Sequence, residues 1–305
     1  MISFRYHLVT IVAVFLALAL GVLAGTTVIK QTLVEQLRKN NSRVADQNSD
    51  LRSQVGELRG FVSSFVSGAR DWLIDGALDG ERAVVITWDP VDQDAVGQAR
   101  DGLATAGAEV VTLTMTSKLA SAGATEELAD LLGVDGTTPP DVVVSDASLA
   151  LADRLARGAG TVARPETDLL EELVKAGFVR AAPTSDLSAV GGPDRLEVVV
   201  GGGQAQPAVP IDTFVLQMVR EMSDAGVMIA AGEGEDADAA AHPLVSLLRQ
   251  DDSLSTDRLM TVDDMDQDVG GVALVLGLDR MLLGGSGGNY GTDEGAQLLP
   301  KPPTS

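Results

Sequence analysis

The longest regular pattern along the chain is a heptad repeat between residues 34 and 72. The a positions of the repeat are Val34, Asn41, Asn48, Val55, Val62 and Ala69. The d positions are Leu37, Val44, Leu51, Leu58, Phe65 and Trp72. Such spacing, about 3.5 residues on average, is typical of a helix that winds around a second helix. Leu at d positions favours a coiled coil of two parallel helices, and an Asn at an a position that pairs with its copy fixes the register of the two helices. We therefore predict a parallel homodimeric coiled coil over residues 30–75, with a single amphipathic helix packed on its own domain as the alternative.

An uncharged apolar run at residues 8–29 comes directly before this repeat and follows a short amino-terminal flank, residues 1–7. Its length matches the roughly 20 residues that cross a bilayer as a helix. A cleaved signal peptide is the alternative, but its apolar region is usually about 7–15 residues long, and Val22-Leu23-Ala24 matches a cleavage site poorly. Gly21 and Gly25 form a G-x-x-x-G pair that would let two such helices approach closely. The run predicts an uncleaved transmembrane anchor.

The basic residues around this anchor bear on its orientation. Arg5 precedes the apolar run, whereas Lys30, Arg38, Lys39 and Arg43 follow it. The more basic flank of a membrane helix usually stays in the cytoplasm. Charge alone therefore favours a cytoplasmic position for the rest of the chain.

Residues 81–283 show short apolar runs that alternate with helical stretches. We predict strands at 83–87, 109–114, 142–145, 196–200, 227–231 and 258–262, and helices at 92–106, 149–157, 168–176, 211–225, 243–249 and 272–283. Apolar strands that alternate with helices indicate a mostly parallel sheet covered on both faces. The fold class is thus α/β, Rossmann-like or flavodoxin-like, with the strand order left open. Residues 284–305 are rich in Gly and Pro, and we predict a tail without a core pattern.

Composition narrows the classes of function. The chain has 22 basic and 44 acidic residues, a formal net charge of −22, which argues against nucleic-acid binding because that needs clustered Lys and Arg. It has no cysteine, so disulfides, thiolate metal sites and Cys nucleophiles are excluded. Aromatic residues are only 3% of the chain, and the core must be built from Val, Leu and Ala.

Carboxylates at predicted strand ends are the candidates for a metal site. Asp89, Asp92 and Asp94 follow the first strand, and Asp146 ends the strand predicted at 142–145. Parallel sheets bind ligands at the carboxyl ends of their strands, and carboxylate oxygens suit a hard cation. An Asp before a helix is also a common N-cap. Two further acidic segments are interpreted as solvated loops. The first holds Glu233, Glu235, Asp236 and Asp238, and the second holds Asp263, Asp264, Asp266 and Asp268.

Motifs for enzymatic chemistry do not hold together. Gly201–Gly203 leads into prolines rather than a helix, so we interpret it as a loop and not a nucleotide-binding turn. Gly284–Gly288 matches G-x-S-x-G, but a helix precedes it, and Gly284 is better explained as a helix C-cap. His242 precedes Ser286, against the order of that hydrolase fold. We predict a protein that is not an enzyme and has no bound cofactor.

Methionine is the remaining donor for a soft metal such as copper. Met218 and Met222 lie one turn apart on a predicted helix, and Met228 follows in the next strand. Met at helical spacing is usually a core residue. The spacing therefore favours core packing over a copper site.

Three segments together resemble a known family. They are Met1-Ile2-Ser3-Phe4-Arg5-Tyr6-His7, the run from Ala13 to Val22, and the closing Gly284–Gly291. They resemble the actinobacterial family named for the mycobacterial copper transport protein MctB, which includes the corynebacterial cell-separation protein SteB. This resemblance implies copper transport or homeostasis, which we expect to be indirect. Alternatively it implies control of septal peptidoglycan cleavage with a membrane partner like SteA.

The same resemblance bears on location and ligands. It implies a single-pass protein of the cell membrane whose carboxyl-terminal domain lies outside the cytoplasm, and we prefer this to the orientation that the flanking charges favour. The partners expected are a second copy of the chain, the membrane and an envelope or division protein. Copper is implied by the resemblance only, and no catalytic or metal-binding residue is carried over.

Overall fold

The computed structural model describes residues 4–159, 167–183, 186–193, 195–202, 207–234, 244–293 and 295–301, without the side chains of residues 4–5, 24–37 and 59. The chain divides into two compact units, Met1–Val62 and Ser63–Ser305. The first unit is helical, and the second contains the sheet.

The first unit belongs to one long helix, α1, which runs from Phe4 to Ile74. Its segment Tyr6–Leu23 is apolar and exposed, and it is long enough to cross a membrane. The heptad residues from Asn41 to Val62 are exposed in the single chain. Val34 and Leu37 lie in the part of α1 whose side chains are not described. The predicted apolar helix is present, and pairing through the heptads stays a prediction.

In the second unit, the last turns of α1 pack against the α/β core. Val66 and Ile74 are buried, whereas the heptad residues Phe65 and Trp72 are exposed. Asp268 accepts hydrogen bonds from the Ser63 hydroxyl at 3.3 Å and from the Ser67 hydroxyl, and so holds this part of the helix. The alternative prediction, a helix packed on its own domain, applies to these turns, but through a face other than the heptad stripe.

The second unit is built on a seven-stranded sheet. Its strands are β1 Arg82–Trp88, β2 Glu109–Met115, β3 Val179–Ala182, β4 Leu196–Gly201, β5 Met228–Glu233, β6 Leu259–Val262 and β7 Asn289–Tyr290. The spatial order is β3-β2-β1-β4-β5-β6-β7, and only the β2–β3 pairing is antiparallel. The helices after α1 are α2 Gln93–Thr105, α3 Thr125–Leu132, α4 Pro140–Arg157, α5 Leu169–Lys175, α6 Leu216–Asp224, α7 Leu244–Arg249 and α8 Asp268–Leu282.

This strand order decides between the two predicted folds. The strand order 3-2-1-4-5-6 is that of the Rossmann fold. In it, β1, β2 and β3 succeed one another toward one edge of the sheet, and β4, β5 and β6 succeed one another toward the other edge. Flavodoxin-like sheets have the order 2-1-3-4-5. Strands β1 and β4 are almost fully buried because apolar clusters cover both faces of the sheet. The α/β prediction with a mostly parallel sheet is confirmed, and the strand order agrees with the Rossmann order, although the edge strand β3 is antiparallel.

The strand predicted at residues 142–145 is wrong, because these residues lie in α4. The run Val142–Val144 suggested a strand, since β-branched residues favour strands. However, Pro140 occupies the first turn, where proline suits a helix. Val143, Ala147, Leu151 and Leu155 then follow at a spacing of one turn and are all buried. Burial of this stripe overrides the local strand preference.

Two strands were missed. Strand β3 is a four-residue edge strand, and β7 is a two-residue strand inside the segment predicted as a tail. In β7, Tyr290 is buried although it is surrounded by glycines. Neither strand is long enough to show a period, so only their pairing with β2 and β6 reveals them.

A buried ion pair ties α4 to the loop before α5. The Arg154 side chain is fully buried and donates to both carboxylate oxygens of Asp168, at 2.5 and 2.6 Å. The same guanidinium donates to the carbonyl oxygens of Val190 at 2.7 Å and Leu187 at 3.0 Å. Asp168 also caps α5 by accepting from the Leu170 N–H. One side chain thus holds three segments together.

Glu197 is a second buried ionisable side chain, in the central strand β4. Both carboxylate oxygens are buried and have no hydrogen-bond partner among the described residues. Burial raises the pKa of Glu197 well above its ordinary value, and the positive charges of Arg154 and Arg195 oppose that rise. The folded domain therefore favours the protonated form of this carboxyl group.

Candidate functional sites

The first candidate site is the crevice at the carboxyl ends of β1 and β4, where Rossmann folds bind ligands. In this chain the crevice is filled by its own side chains. The Trp88 ring, 3% exposed, lies against Gly201, and a methyl group on Gly201 would come 2.9 Å from two ring carbons. The same methyl group would lie 3.3 Å from Leu244. Glycine at this position lets the ring close the crevice.

The next strand end is filled in the same way. A methyl group on Gly232 of β5 would overlap the Met265 side chain, which is buried. On Gly234 it would lie 2.5 Å from a carboxylate oxygen of Asp92 and 3.3 Å from the Asp266 side chain. Glycines at and just beyond the carboxyl ends of β4 and β5 therefore admit Trp88, Met265 and two carboxylates into this edge of the sheet.

We expect Gly201→Ala to destabilise the α/β unit by about 1–3 kcal/mol, because the new methyl group must displace the Trp88 ring. Thermal unfolding followed by circular dichroism measures the effect. The matched control is Gly97→Ala in α2, where a methyl group meets nothing within 4 Å. Relief from the low helix propensity of glycine should stabilise that control by up to about 1 kcal/mol. Equal responses of the two variants would contradict the packing argument.

The four predicted metal residues occupy different settings. Asp89 forms an ion pair with Arg180 at 2.7 Å. Asp92 caps α2 by accepting from the backbone N–H groups of Asp94 and Ala95, at 2.9 and 3.3 Å. Asp94 is exposed, and Asp146 lies within α4 rather than at a strand end. In the described parts of the chain, no three His, Asp or Glu residues converge as metal ligands would.

The acidic loops are less solvated than predicted. Glu233, Asp263 and Asp264 are buried at the ends of β5 and β6. The Glu233 carboxylate accepts from the Val245 N–H at 3.1 Å, at the start of α7. Glu235, Asp236 and Asp238 lie outside the described residues. Glu233, Asp263 and Asp264 lie at or directly after the ends of buried strands. That position was the signal in the sequence that these acids can have structural partners.

Two other motifs match their simpler interpretation. Met218 and Met222 are fully buried in the apolar cluster, which is the predicted core role. Gly284 has φ +85°, and its N–H donates to the Met281 carbonyl as α8 ends. This left-handed glycine is the predicted helix C-cap. Gly203 and His242 are outside the described residues.

The second candidate site is the heptad stripe of the first unit. Leu51 is 61% exposed and Leu58 is 70% exposed, and Val44 and Val55 are also exposed. Soluble chains rarely leave so many large apolar side chains on one surface unless they bind something there. The stripe is therefore a candidate interaction surface, and its occupant stays a prediction.

The structure thus defines a class of protein: an α/β protein with a mostly parallel sheet and one amino-terminal helix long and apolar enough to span a membrane. The chain belongs to the MctB family, because the family described as copper transport outer membrane protein, MctB, matches residues 1–300.

Curated relatives agree with this assignment. The copper transporter MctB of Mycobacterium tuberculosis (strain ATCC 25618 / H37Rv) is 28% identical over 323 residues, which cover 98% of this chain and 99% of that protein. The copper transporter MctB of Mycobacterium leprae (strain TN) is 26% identical over 331 residues, 99% of this chain and 100% of that protein. The similarity therefore spans the helix, the sheet and the carboxyl-terminal segment.

Proposed function

We propose that this chain is a single-pass membrane protein of the cell envelope that pairs with a second copy and supports copper transport or homeostasis as that pair. The observation that carries the proposal is the exposed heptad stripe from Val44 to Val62. Two such stripes bury each other in a parallel coiled coil, and the sequence register continues to Phe65 and Trp72. The pair would then present two α/β domains to other envelope proteins.

The role in copper handling is proposed to be indirect and not enzymatic. Copper favours Met, His and Cys ligands. The chain has no cysteine, and Met218 and Met222 are packed inside the core. The buried carboxylates Glu233 and Asp263 already accept hydrogen bonds from the protein. These features support a protein that assembles with partners rather than one that carries copper on its own domain.

The α/β domain is proposed to lie outside the cytoplasm. The family name, which places related proteins at an outer membrane, supports this side. The charges Arg38, Lys39 and Arg43 after the apolar helix favour the opposite side. A reporter enzyme fused after Ser305 and active only outside the cytoplasm tests the orientation directly.

Copper titration of the purified full-length chain by calorimetry tests the indirect role. We expect no stoichiometric binding at micromolar copper, together with copper sensitivity of cells that lack the protein. A variant of the heptad stripe that cannot pair, such as Leu51→Asp, should fail to restore copper tolerance in those cells. Micromolar binding by the single chain would contradict the proposal, because copper would then be handled by the domain itself.

A non-enzymatic scaffold for cell separation, similar to SteB and acting with a SteA-like membrane partner, is the alternative. The exposed aromatic residues Phe65 and Trp72 on the α/β unit favour it, because aromatic side chains are typical anchors of protein interfaces. This alternative predicts septal localisation and separation defects without copper sensitivity. Deletion of the gene distinguishes the two functions by phenotype.

A further inference from the structure

The last turns of α1 are attached to the α/β core through one side of the helix. Val66 and Ile74 on this side are 7% and 0% exposed, and they belong to the apolar cluster that contains residues of α2 and α8. The hydroxyl groups of Ser63 and Ser67 add polar contacts, because both donate to Asp268 at the start of α8. We define the inner face of α1 as Ser63, Val66, Ser67, Arg70 and Ile74.

The inner face lies where α2 and α8 approach each other. A methyl group on Gly102 of α2 would come 3.2 Å from the carbonyl oxygen of Gly271 of α8, so the two helices are in close contact there. The same methyl group would lie 3.6 Å from Nη2 of Arg70, and one on Gly271 would lie 3.8 Å from that atom. Arg70 therefore lies over the contact between the two helices, and the orientation of these turns about the helix axis is fixed.

The opposite side of the same turns is apolar and largely exposed. Phe65 is 66% exposed and Trp72 is 85% exposed. Gly68 and Ala69 lie between them, and a methyl group on Gly68 would meet no described atom within 4 Å. These four residues share one side of the helix because they are spaced at i, i+3, i+4 and i+7. We define them as the outer face, which begins two residues after the inner face and so lies about 200° round the helix axis from it.

The pattern of large and small side chains on the outer face suits a second copy of the same face. Phe65 and Trp72 are d positions of the heptad repeat, and Ala69 is the a position between them. The outer face thus continues the register of the heptad stripe, and no charged residue interrupts the a and d series. In a parallel coiled coil each d side chain packs into a hole formed by four residues of the facing helix. Because Gly68 and Ala69 are small, the facing helices have room for the aromatic rings of both copies.

Given the pairing proposed above, we propose that the outer faces of two copies pack on each other, so that the paired region reaches into the folded α/β domain. The contact is isologous, with the same patch on both copies. Because each inner face holds its own domain, the two domains lie on opposite sides of the paired helices and are fixed in their orientation. The outer face is an interaction surface of the domain, and its partner is a second copy of this chain.

The two tryptophans of the full-length chain make the contact measurable. Trp88 is 3% exposed, so iodide should reach only Trp72. In the natural pair both rings should be shielded, and iodide should quench little of the emission. In Leu51→Asp, at a concentration where light scattering shows single copies, Trp72 should become accessible and roughly half of the emission should be quenched. Trp72→Phe is the control, because its remaining emission should stay shielded in both states.

Single-cysteine variants of the full-length chain locate the contact independently, since the chain has no cysteine of its own. Trp72→Cys should form a disulfide-linked pair as readily as Leu51→Cys. Asp71→Cys is the matched control, because Asp71 is exposed and adjacent to Trp72 but lies outside the a and d series. Its disulfide should form roughly tenfold more slowly, since the bond needs a close approach of the two Cβ atoms.

The outcomes separate the outer-face contact from pairing as such. If Leu51→Cys links and Trp72→Cys does not, or if iodide quenches Trp72 equally in the pair and in single copies, the outer-face proposal is overturned and the coiled coil stands. A Trp72 that stays shielded in single copies is covered by something other than a second copy, which also overturns it. If neither cysteine links, the proposed pairing fails and the outer-face contact fails with it.

Discussion

Replacing Leu51 by aspartate is expected to convert the paired protein into single copies. Leu51 is a d position of the heptad stripe, and each copy in a pair would bury it against the other. Burial of a leucine side chain contributes about 1.5–3 kcal/mol, and two are lost per pair. Charge repulsion between the new aspartates adds to the loss, so the dissociation constant should rise at least about a hundredfold. Light scattering of the detergent-solubilised chain measures its mass.

The control for this change is Ser53→Asp. Ser53 lies two residues after Leu51 in the same helix but outside the a and d series, so pairing should persist. Because the chain has no cysteine, single-cysteine variants give an independent readout in cells. Leu51→Cys should form a disulfide-linked pair, and Ser53→Cys should not. A natural chain that stays single at high concentration would sink the pairing proposal.

Sequence patterns revealed the elements that are long and periodic. Strand β1 and helix α5 were predicted to within a residue or two, because a run of buried residues or an Asp N-cap marks their bounds. Strand order was not accessible, since it depends on contacts between segments far apart in the chain. The helix α4 shows the other limit: a local Val run indicated a strand, but the buried stripe from Val143 to Leu155 decided the outcome.

The candidate sites divide in the same way. The heptad stripe is periodic, so the sequence alone locates the exposed apolar surface around Leu51 and Leu58. The filled crevice is different. Nothing in the run after β1 reveals that Trp88 will lie on Gly201, because the contact joins residues more than a hundred positions apart. The buried position of Asp263 depends in turn on contacts with Tyr290 and Thr292, in a segment that has no sequence pattern of its own.

Replacing Arg154 by methionine is expected to cause the largest loss of stability in the α/β unit. The change leaves the Asp168 carboxylate without its partner, at a side-chain exposure of 12%, and leaves the Val190 and Leu187 carbonyls without a donor. Breaking a buried ion pair on one side typically costs about 3–5 kcal/mol. Urea unfolding followed by the fluorescence of the buried Trp88 measures the change.

Two further variants make this a test of the ion pair rather than of packing. Arg154→Met combined with Asp168→Asn should recover part of the loss, because asparagine removes the stranded charge and its side-chain oxygen can still cap α5. Arg157→Met removes an exposed partner of Asp153 on the same helix, paired at 2.7 Å, and should cost less than about 1 kcal/mol. If Arg154→Met costs no more than Arg157→Met, Arg154 is not the residue that joins α4 to the loops at Asp168 and Val190.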